Sequence, residues 1–486
     1  MADATDYVRT HTARLFRRNG TEEETVAELL WGDRVKVLPK KAGDGRGTTR
    51  VRARGYEGLV LSDALGGKSL LEVYFIDVGQ GDGVLVRTPD DRHVLIDGGW
   101  VRRKQPTKRN AADFVDWKFA KDYRADTIVL DAVVASHCDA DHYGGLWDLL
   151  NPDETDELDI KRVPEVRAFY HAGVGWWTEG AEGDRSLGPR KNGYLTRLLS
   201  DRHSIAPKKR GLRPQGEWAK FLECVYNLGE SCDVQYLGWR VEGGYMPGFA
   251  PADGDASIRV LAPVDDGEGD ARRLPYLQNS DSKTTNGHSI LLRVDYGRAR
   301  ILLTGDLNAA SQRRILDAYR GQRQELAADV VKGCHHGSDD VSYEFLAAVN
   351  AGCTIISSGD DESHAHPRPA VVAASAQTGF TRIADDRLVT PLVYSTEISR
   401  SYKLTQASKI LITNRDGSTT AVDADDAKLR FNSGRPGSDR SAAGAHFVQG
   451  VVYGLVNVRT DGETILCATL NEQKKKWEIE TFESRF

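Results

Sequence analysis

Residues 136–145 read Ser-His-Cys-Asp-Ala-Asp-His-Tyr-Gly-Gly and follow directly after a short apolar run. The segment places His137, Asp139, Asp141 and His142 within six residues. An apolar strand that ends in such a turn directs several imidazoles and carboxylates to one point. Divalent metals prefer these ligands, and a mixture of them can hold two ions. The segment therefore predicts a metal-dependent enzyme with an α/β fold.

The spacing inside this segment suggests two adjacent metal positions. His137 and Asp139 stand two residues apart, so on an extended chain their side chains leave the same side. Asp141 and His142 begin the turn into the next helix and face a second point. We expect two divalent ions, zinc or manganese, which together lower the pKa of a bridging water. The alternative is an exposed acidic loop with two chance histidines.

A second apolar strand, at residues 301–303, ends in Thr-Gly-Asp and delivers the carboxylate of Asp306 past a glycine. Asp306 is expected to bridge the two ions. Its alternative role is to cap a helix that begins at Leu307, because aspartate is a favoured N-cap residue. One side chain can serve in both roles.

Paired histidines follow a third apolar strand. Adjacent residues on an extended chain point in opposite directions. We therefore predict that His336 binds metal and that His335 is a catalytic or phosphate-facing group. His366 is a candidate metal ligand or proton donor to the leaving group, and Asp141 is a candidate for orienting the nucleophile. His364, two residues before His366, is interpreted as an exposed loop histidine.

His288 is a further candidate ligand, because it precedes the apolar strand at residues 290–294 and lies one hairpin before Asp306. In that position it would complete the coordination of the first metal. The alternative, nearly as plausible, is a hydrogen-bonded histidine at the start of a strand.

Composition limits the class of protein. The chain has 486 residues, enough for two or three domains, and a hydrophobic fraction of 40%, enough for a substantial core. Its formal net charge of −6 gives no overall bias toward nucleic acid, so a polyanion site would have to be local. The sequence shows neither a secretory signal nor an apolar run long enough to span a membrane, and a reduced cytoplasmic setting is expected.

Changes in pattern along the chain predict four segments. Residues 1–67 alternate like a small β domain with the features of a bacterial SH3-like barrel. Residues 68–422 carry the motifs described above, as expected for the hydrolase domain. Their patterns predict an antiparallel meander at residues 71–96 and helices from Ala309 to Tyr319 and from Tyr343 to Val349. Residues 423–445 are rich in Asp, Ser, Gly and Ala and are interpreted as a linker. Residues 446–486 alternate again and predict a short C-terminal β element.

Six motifs in this order resemble those of the metallo-β-lactamase-fold hydrolases, and more narrowly the hydrolase domain of the competence-channel proteins that take up DNA. The resemblance covers about residues 70 to 375. The matching strings are Phe-Ile-Asp-Val-Gly-Gln-Gly-Asp at 75–82, Leu-Ile-Asp-Gly-Gly at 95–99, the motif at 136–145, Leu-Leu-Thr-Gly-Asp at 302–306, His-His-Gly-Ser at 335–338 and His-Pro at 366–367.

The resemblance implies an αββα sandwich with a metal site at one edge, between its two sheets. It also implies five metal ligands, which are His137, Asp139, Asp141, His142 and Asp306. His336 is a further candidate ligand. Asp139 departs from the commonest form of the motif, which has histidine there. A carboxylate makes the site harder, so manganese becomes a rival to zinc. The competence proteins also carry membrane helices, which this sequence lacks.

The sequence favours a phosphodiesterase, most plausibly a nuclease that attacks DNA or RNA through a metal-bridged hydroxide. Basic residues at 102–109 and 208–213 are candidates for guiding a phosphate backbone, or else solvated loops. The same Asp-containing motif resembles phosphorylcholine esterases. The alternative is therefore a hydrolase of a small phosphodiester, ester or lactone, with an aromatic lid formed by Trp176 and Trp177. A non-enzymatic binding scaffold is a third possibility, and the SH3-like region is a candidate site for a protein partner.

Overall fold

A computed structural model provides the three-dimensional description of the chain. It describes residues 4–20, 22–105, 107–179, 185–208, 211–267, 269–359, 366–396, 403–406, 409–413, 418–424, 426, 428–429, 440–441, 446–449, 455–471 and 476–486. His364 and most of the predicted linker at 423–445 lie outside these residues. Contact clustering divides the chain into one unit of residues 1–399 with 454–486 and a second unit of residues 400–453.

The largest sheet of the first unit has nine strands. In spatial order they are Asp233–Tyr236, Ala168–His171, Ala132–Ala135, His93–Ile96, Val84–Arg87, Leu71–Ile76, Leu455–Thr460, Thr464–Asn471 and Lys476–Glu483. The first four run parallel, and the rest pair antiparallel. The meander predicted at residues 71–96 is confirmed, and the C-terminal β element forms three strands of this sheet.

A second, six-stranded sheet packs against the first. Its strands in spatial order are Ser257–Ala262, Leu291–Tyr296, Ala299–Leu303, Val330–Lys332, Cys353–Ile356 and Leu392–Ser395. Side chains from both sheets share one buried cluster, which includes Val73 and Phe75 from the first sheet and Val294 and Ile301 from the second. Their burial between the sheets supplies the main hydrophobic driving force of the fold.

Helices cover the outer face of each sheet and complete an αββα sandwich, as predicted. On the nine-stranded sheet lie Ala111–Trp117, Ala140–Leu150 and Gly216–Asn227, which share a core with its strands. On the second sheet lie Ala309–Ala318 and Tyr343–Val349. Shorter or peripheral helices are Arg202–Ile205, Asp281–Gly287 and Pro369–Thr378. The two predicted helical patterns, beginning at Ala309 and Tyr343, are both confirmed.

Smaller strand pairs complete the first unit. They are Val129–Leu130 with Glu165–Val166, Trp177–Glu179 with Leu212–Pro214, Arg382–Ala384 with Arg387–Thr390, and a three-stranded sheet of Arg190–Lys191, Tyr194–Leu195 and Leu274–Pro275. The second unit contains three described strand pairs. They are Lys403–Gln406 with His446–Gln449, Lys409–Thr413 with Thr419–Asp423, and Lys428–Leu429 with Arg440–Ser441. Among the described residues, no helix is long and apolar enough to cross a membrane.

The N-terminal region forms a separate antiparallel sheet with its own buried cluster. Its strands in spatial order are Thr5–Tyr7, Arg34–Val37, Thr48–Ala53, Tyr56–Leu61, Thr12–Asn19 and Glu22–Leu30. The small β region that the sequence predicted is therefore present. Its assignment as an SH3-like barrel, and the boundaries of the four predicted segments, stay predictions.

A buried ion network joins the N-terminal sheet to the nine-stranded sheet. Arg459, fully buried, lies 2.8 Å from Asp33 of the N-terminal region and 3.5 Å from Glu72 of the large sheet. Glu72 also pairs with Arg87 at 2.7 Å. The charges therefore neutralise one another in a place that water does not reach. Such a network specifies how the elements dock, although its net contribution to stability is small compared with the cost of breaking it.

Replacing Arg459 with methionine should destabilise the protein by about 3–5 kcal/mol, because Asp33 and Glu72 would keep buried charges without their shared cation. The free energy of unfolding, measured by urea titration, provides the test. Arg320→Met, at a guanidinium with 78% side-chain exposure, is the matched control and should change stability little. Equal stability of wild type and Arg459→Met would contradict the assigned role.

Glu72 should also make stability depend on acid pH. Burial acts against its charge, but Arg459 and Arg87 lower the pKa of this carboxyl from 4.5 to about 2 in the folded protein. The charged form is therefore stabilising above pH 4.5, and this stabilisation of about 3 kcal/mol is lost as the pH falls toward 2. Urea titrations at pH 6 and pH 3 should show a smaller acid loss for Glu72→Gln than for wild type.

Candidate metal centre

The candidate site lies where the carboxyl ends of parallel strands from both sheets meet. The strand Ala132–Ala135 runs into Ser136 and His137, and the neighbouring strand His93–Ile96 runs into Asp97. In the second sheet, the strands Ala299–Leu303, Val330–Lys332 and Cys353–Ile356 also run parallel to one another. They lead to Asp306, to the paired histidines and to Ser357. Because each strand ends at the same edge, residues distant in sequence converge.

Three imidazoles in this convergence share one arrangement. Each holds Nδ1 against a polar group of the protein. For His137 this group is Ser136 Oγ at 3.1 Å, for His142 it is Asp97 Oδ2 at 2.8 Å, and for His336 it is the carbonyl of Ser357 at 3.1 Å. The Nε2 atoms of all three are buried and have no hydrogen-bond partner in the described part of the chain. An imidazole held at one nitrogen and open at the other is the usual geometry of a metal ligand.

The carboxylate of Asp306 stands in front of these open nitrogens. Its Oδ2 lies 3.3 Å from His142 Nε2 and 3.1 Å from His336 Nε2. Burial acts against its charge, but His336 and His142 hold the pKa of Asp306 well below its ordinary value. Four groups of ligand atoms lie within 4.8 Å of one another, and two of them are made of predicted ligands: His137, His142 and Asp306, and Asp141, His142 and His336.

Asp139 lies beside this cluster and is held by an adjacent helix. Its Oδ2 is 3.8 Å from His137 Nε2 and accepts a hydrogen bond from Thr285 Oγ1 at 3.0 Å. The amide of Asn286 can donate to the same oxygen at 2.9 Å while accepting from His335 Nε2 at 3.1 Å. Burial and the neighbouring carboxylate of Asp141 raise the pKa of Asp139 to about 6. A bound cation would relieve this crowding of negative charge.

A buried ion pair that the sequence did not reveal supports the cluster from behind. Lys332 is fully buried, pairs with Asp82, and lies 3.7 Å from Asp306 Oδ1. Asp82 Oδ1 in turn lies 3.3 Å from His336 Nδ1. The lysine therefore neutralises Asp82 while that carboxylate orients an imidazole.

The glycine-rich turn at residues 79–82 presses against the metal motif. Gln80 Nε2 donates to Asp141 Oδ2 at 3.0 Å. A Cβ on Gly81 would lie 1.8 Å from the backbone oxygen of Asp141, and the φ of Gly81 is +114°, so only glycine fits there. The motif strings at 75–82 and 95–99 thus act by positioning other residues. In the sequence, the only indication of this positioning role was that both strings lie at the ends of strands.

The structure changes the reasoning about the paired histidines. His335 and His336 both have left-handed backbone angles, with φ of 46° and 53°, so the rule for extended chains does not apply to them. Both rings reach Asp306, at 3.8 Å from Nε2 of His335 and 3.1 Å from Nε2 of His336. The ring of His366 lies 5.9 Å from that of His335 and 6.4 Å from that of His336. All three therefore flank one cluster, and burial lowers the pKa of His335.

His288 is not brought to the cluster. Its Nε2 lies 2.7 Å from the carbonyl oxygen of Pro275, and the residue is buried. Burial lowers its pKa to about 4, so a neutral imidazole donates this hydrogen bond. The geometry favours the alternative reading, a hydrogen-bonded histidine at a strand start. The prediction from sequence spacing was wrong for His288 because its hydrogen-bond acceptor, Pro275, belongs to another strand.

Two other predicted features have structural roles. Arg102 is buried and pairs with Asp113 at 3.0 Å, while Arg103 and Lys104 both pair with Glu217, so this basic stretch is largely neutralised. Lys209 and Arg210 lie outside the described residues. Trp177 is fully buried in the core beneath the first layer of helices, so it is not part of a movable lid.

The donor set fits divalent cations. Three buried Nε2 atoms and Asp306 Oδ1 have no hydrogen-bond partner within the ranges that the structure describes. Asp82, Asp97, Asp139, Asp141 and Asp306 bring five carboxylates to the cluster. Among the described residues, Lys332 pairs with two of these carboxylates, those of Asp82 and Asp306. An excess of oxygen and imidazole ligands around so little positive charge is what zinc or manganese requires.

Comparison with known proteins agrees with this geometry. Residues 76–157 match the sequence model of the Metallo-beta-lactamase superfamily. The chain therefore contains a metallo-β-lactamase domain, whose fold and ligand clusters are those of a metal-dependent hydrolase. Its sequence relatives include ComE operon protein 3 of Bacillus subtilis strain 168, which is 23% identical over 62% of this chain and 30% of the relative. Competence protein ComA of Neisseria gonorrhoeae is 36% identical over 20% of this chain and 14% of the relative.

The chain thus spans less than a third of either relative. Among solved structures, it is similar to Tm1679, a metal-dependent hydrolase of the beta-lactamase superfamily, with 12% identity and a TM-score of 0.31. That match covers 67% of this chain and 95% of Tm1679. Zn²⁺-bound PqqB from Methylobacterium extorquens has 9% identity and a TM-score of 0.29, over 62% of this chain and 96% of PqqB.

Asp97→Asn should weaken metal binding by about 10- to 100-fold, because the carboxylate that orients His142 would become an amide. Competition with a chromophoric chelator for Zn²⁺ or Mn²⁺ measures the change. Asp116→Asn is the matched control, since Asp116 is equally buried but accepts hydrogen bonds from the backbone of Asp159 and Ile160, outside the cluster. Equal affinities of Asp97→Asn and wild type would show that His142 does not bind metal.

Proposed function

We propose that this protein is a two-metal phosphodiesterase that cleaves nucleic acid. The observation that carries the proposal is the convergence of the open Nε2 atoms of His137, His142 and His336 on the buried carboxylate of Asp306. When bound, two divalent ions would lower the pKa of a water and stabilise charge on the phosphate oxygens. On this proposal His137, Asp139 and Asp306 hold one ion, and Asp141, His142, His336 and Asp306 hold the other.

The remaining side chains have roles in orientation and proton transfer. Asp141, fixed by Gln80, is placed to orient the attacking water. His335 is partly exposed, with 23% side-chain exposure, and lies on the open side of Asp306. Because burial lowers its pKa, it acts as a neutral imidazole that donates a hydrogen bond or accepts a proton. His366 stands beside it and is the candidate for protonating the leaving oxygen.

Nucleic acid is favoured as substrate by two observations. One sequence relative is named competence protein ComA, and the six motifs quoted above resemble those of DNA-uptake channel proteins. The Asp139 carboxylate, in place of the commoner histidine, favours harder metals such as manganese, which suit the phosphate oxygens of large and small phosphodiesters alike. The small-ester alternative keeps the support of the Asp-containing motif, but of its two lid residues Trp177 belongs to the core.

The purified chain, supplied with Mn²⁺ or Zn²⁺, should cleave bis-p-nitrophenyl phosphate and at least one of plasmid, single-stranded DNA and RNA. The Asp141→Ala/His142→Ala variant should lose more than about 100-fold of each activity, because removal of two ligands exceeds the usual effect of losing an outer partner. Product release is measured spectrophotometrically for the ester and on gels for nucleic acids.

Two results would contradict the proposal. Turnover of the ester without cleavage of any nucleic acid would return the function to small phosphodiesters. Activity that survives in the double variant would exclude the two-metal site as its source. Asp116→Asn again serves as the buried control that should retain activity.

A further inference from the structure

A basic segment lies in the chain between the strands Ala168–His171 and Asp233–Tyr236 of the nine-stranded sheet. Residues 185–208 contain six lysines and arginines and one aspartate, in a chain whose net charge is −6. Two of its short strands, Arg190–Lys191 and Tyr194–Leu195, pair with Leu274–Pro275 to form the three-stranded sheet. We call this sheet, with the adjoining residues Arg273 and Tyr276, the arginine–tyrosine platform.

Guanidinium groups of the platform lie over aromatic rings. The Cζ atom of Arg190 is 4.1 Å from the centre of the Tyr276 ring, and that of Arg273 is 4.5 Å from the centre of the Tyr194 ring. Nearby, Arg185 lies 3.6 Å above the ring of Trp176. The platform therefore presents guanidinium groups packed on aromatic rings.

Five cations of this region lie outside the ion pairs of the described residues. Arg185, Arg190, Lys191, Arg197 and Arg273 are all exposed, and none lies within ion-pair distance of a carboxylate among the residues that the structure describes. The contrast with Arg103 and Lys104, which share Glu217, is direct. Unpaired charge on an acidic protein marks a surface prepared for an anion.

The platform is connected to the candidate metal centre by short contacts. Its strand residue Pro275 accepts the hydrogen bond of His288, and Tyr276 bonds Asp281 at the start of the helix Asp281–Gly287. That helix supplies Thr285 to Asp139.

We propose that the arginine–tyrosine platform binds single-stranded nucleic acid and leads it to the metal centre. The inference rests on the proposed nuclease function and specifies its substrate. A flexible single strand offers phosphates to the free guanidinium groups and unstacked bases to the flat Arg–Tyr faces, and each stacked base adds affinity without sequence preference. A duplex hides its bases inside the helix and offers these faces only phosphates.

The role of His288 follows from the same arrangement. Its hydrogen bond to Pro275 links the edge of the platform to the start of the strand Leu291–Tyr296, whose antiparallel neighbour Ala299–Leu303 leads to Asp306. His288 is thus a positioning residue for the platform.

The test measures the binding of a labelled oligothymidylate and of a labelled duplex by fluorescence anisotropy. Unlabelled polyphosphate serves as the competitor, and EDTA is present to prevent cleavage. Arg190→Gln/Arg273→Gln should weaken oligothymidylate binding about tenfold or more and reduce the salt slope by about 1.4, for two lost phosphate contacts. Arg190→Lys/Arg273→Lys keeps the charge but loses the planar stack. This variant should keep the salt slope and lose the preference for single strands over duplex.

Arg17→Gln/Arg387→Gln, at exposed arginines of the strands Thr12–Asn19 and Arg387–Thr390, is the charge-matched control and should bind like wild type. Thermal melting of every variant shows whether the fold is retained. Equal competition by polyphosphate and oligothymidylate, or equal binding of duplex, would overturn the proposal. So would a loss in the control that matches the loss in the platform variant.

Failure of this proposal is distinguishable from failure of the nuclease function. Metal-dependent cleavage of bis-p-nitrophenyl phosphate without oligothymidylate binding would refute the platform and leave the phosphodiesterase. Oligothymidylate binding that follows the platform variants, with no cleavage of any phosphodiester, would support the platform and refute the nuclease.

Discussion

The structure depends on one edge of the sandwich, where the ends of parallel strands from both sheets meet. The buried space at this edge holds more carboxylates than the cationic side chains around it can neutralise. Face-to-face packing of the two sheets fixes the position of that edge. Each ligand then needs a partner on its far side, which Asp97, Ser357 and Ser136 provide for the imidazoles. Lys332 compensates for one carboxylate, and protons on histidines replace metal when none is bound. Despite burial, Asp306 and Asp82 raise the pKa of His336 to about 10.

Sequence patterns predicted the parts of the fold that depend on residues close to one another in the chain. The meander at residues 71–96 and the turns that follow its strands could be placed because alternation and glycine depend on near neighbours. His137, Asp141 and His142 share one turn, so their convergence followed from their spacing. His288 failed because its partner, Pro275, lies on another strand, and the paired histidines adopt a backbone that alternation does not describe. Lys332 escaped notice because an isolated lysine carries no pattern.

Buried charges are arranged differently at the two ends of the sandwich. At the metal edge, buried carboxylates stay close together and open toward a cation. At the N-terminal junction, Arg459 and Arg87 match Asp33 and Glu72 almost charge for charge, and the network is closed. The first arrangement is costly without a ligand and is typical of a functional site. The second is satisfied within the protein and fixes how its parts dock.

The pairing of Leu71–Ile76 with Leu455–Thr460 has a consequence for biosynthesis. Tyr74 lies opposite Asn457, so this seam of the sheet cannot close until residue 457 has left the ribosome. Until then an apolar strand presents an unpaired edge, the kind of surface that recruits other strands. Contacts of such long sequence separation also form slowly. Expression yield should therefore respond to translation speed and chaperone supply more than the stability of the finished domain would suggest.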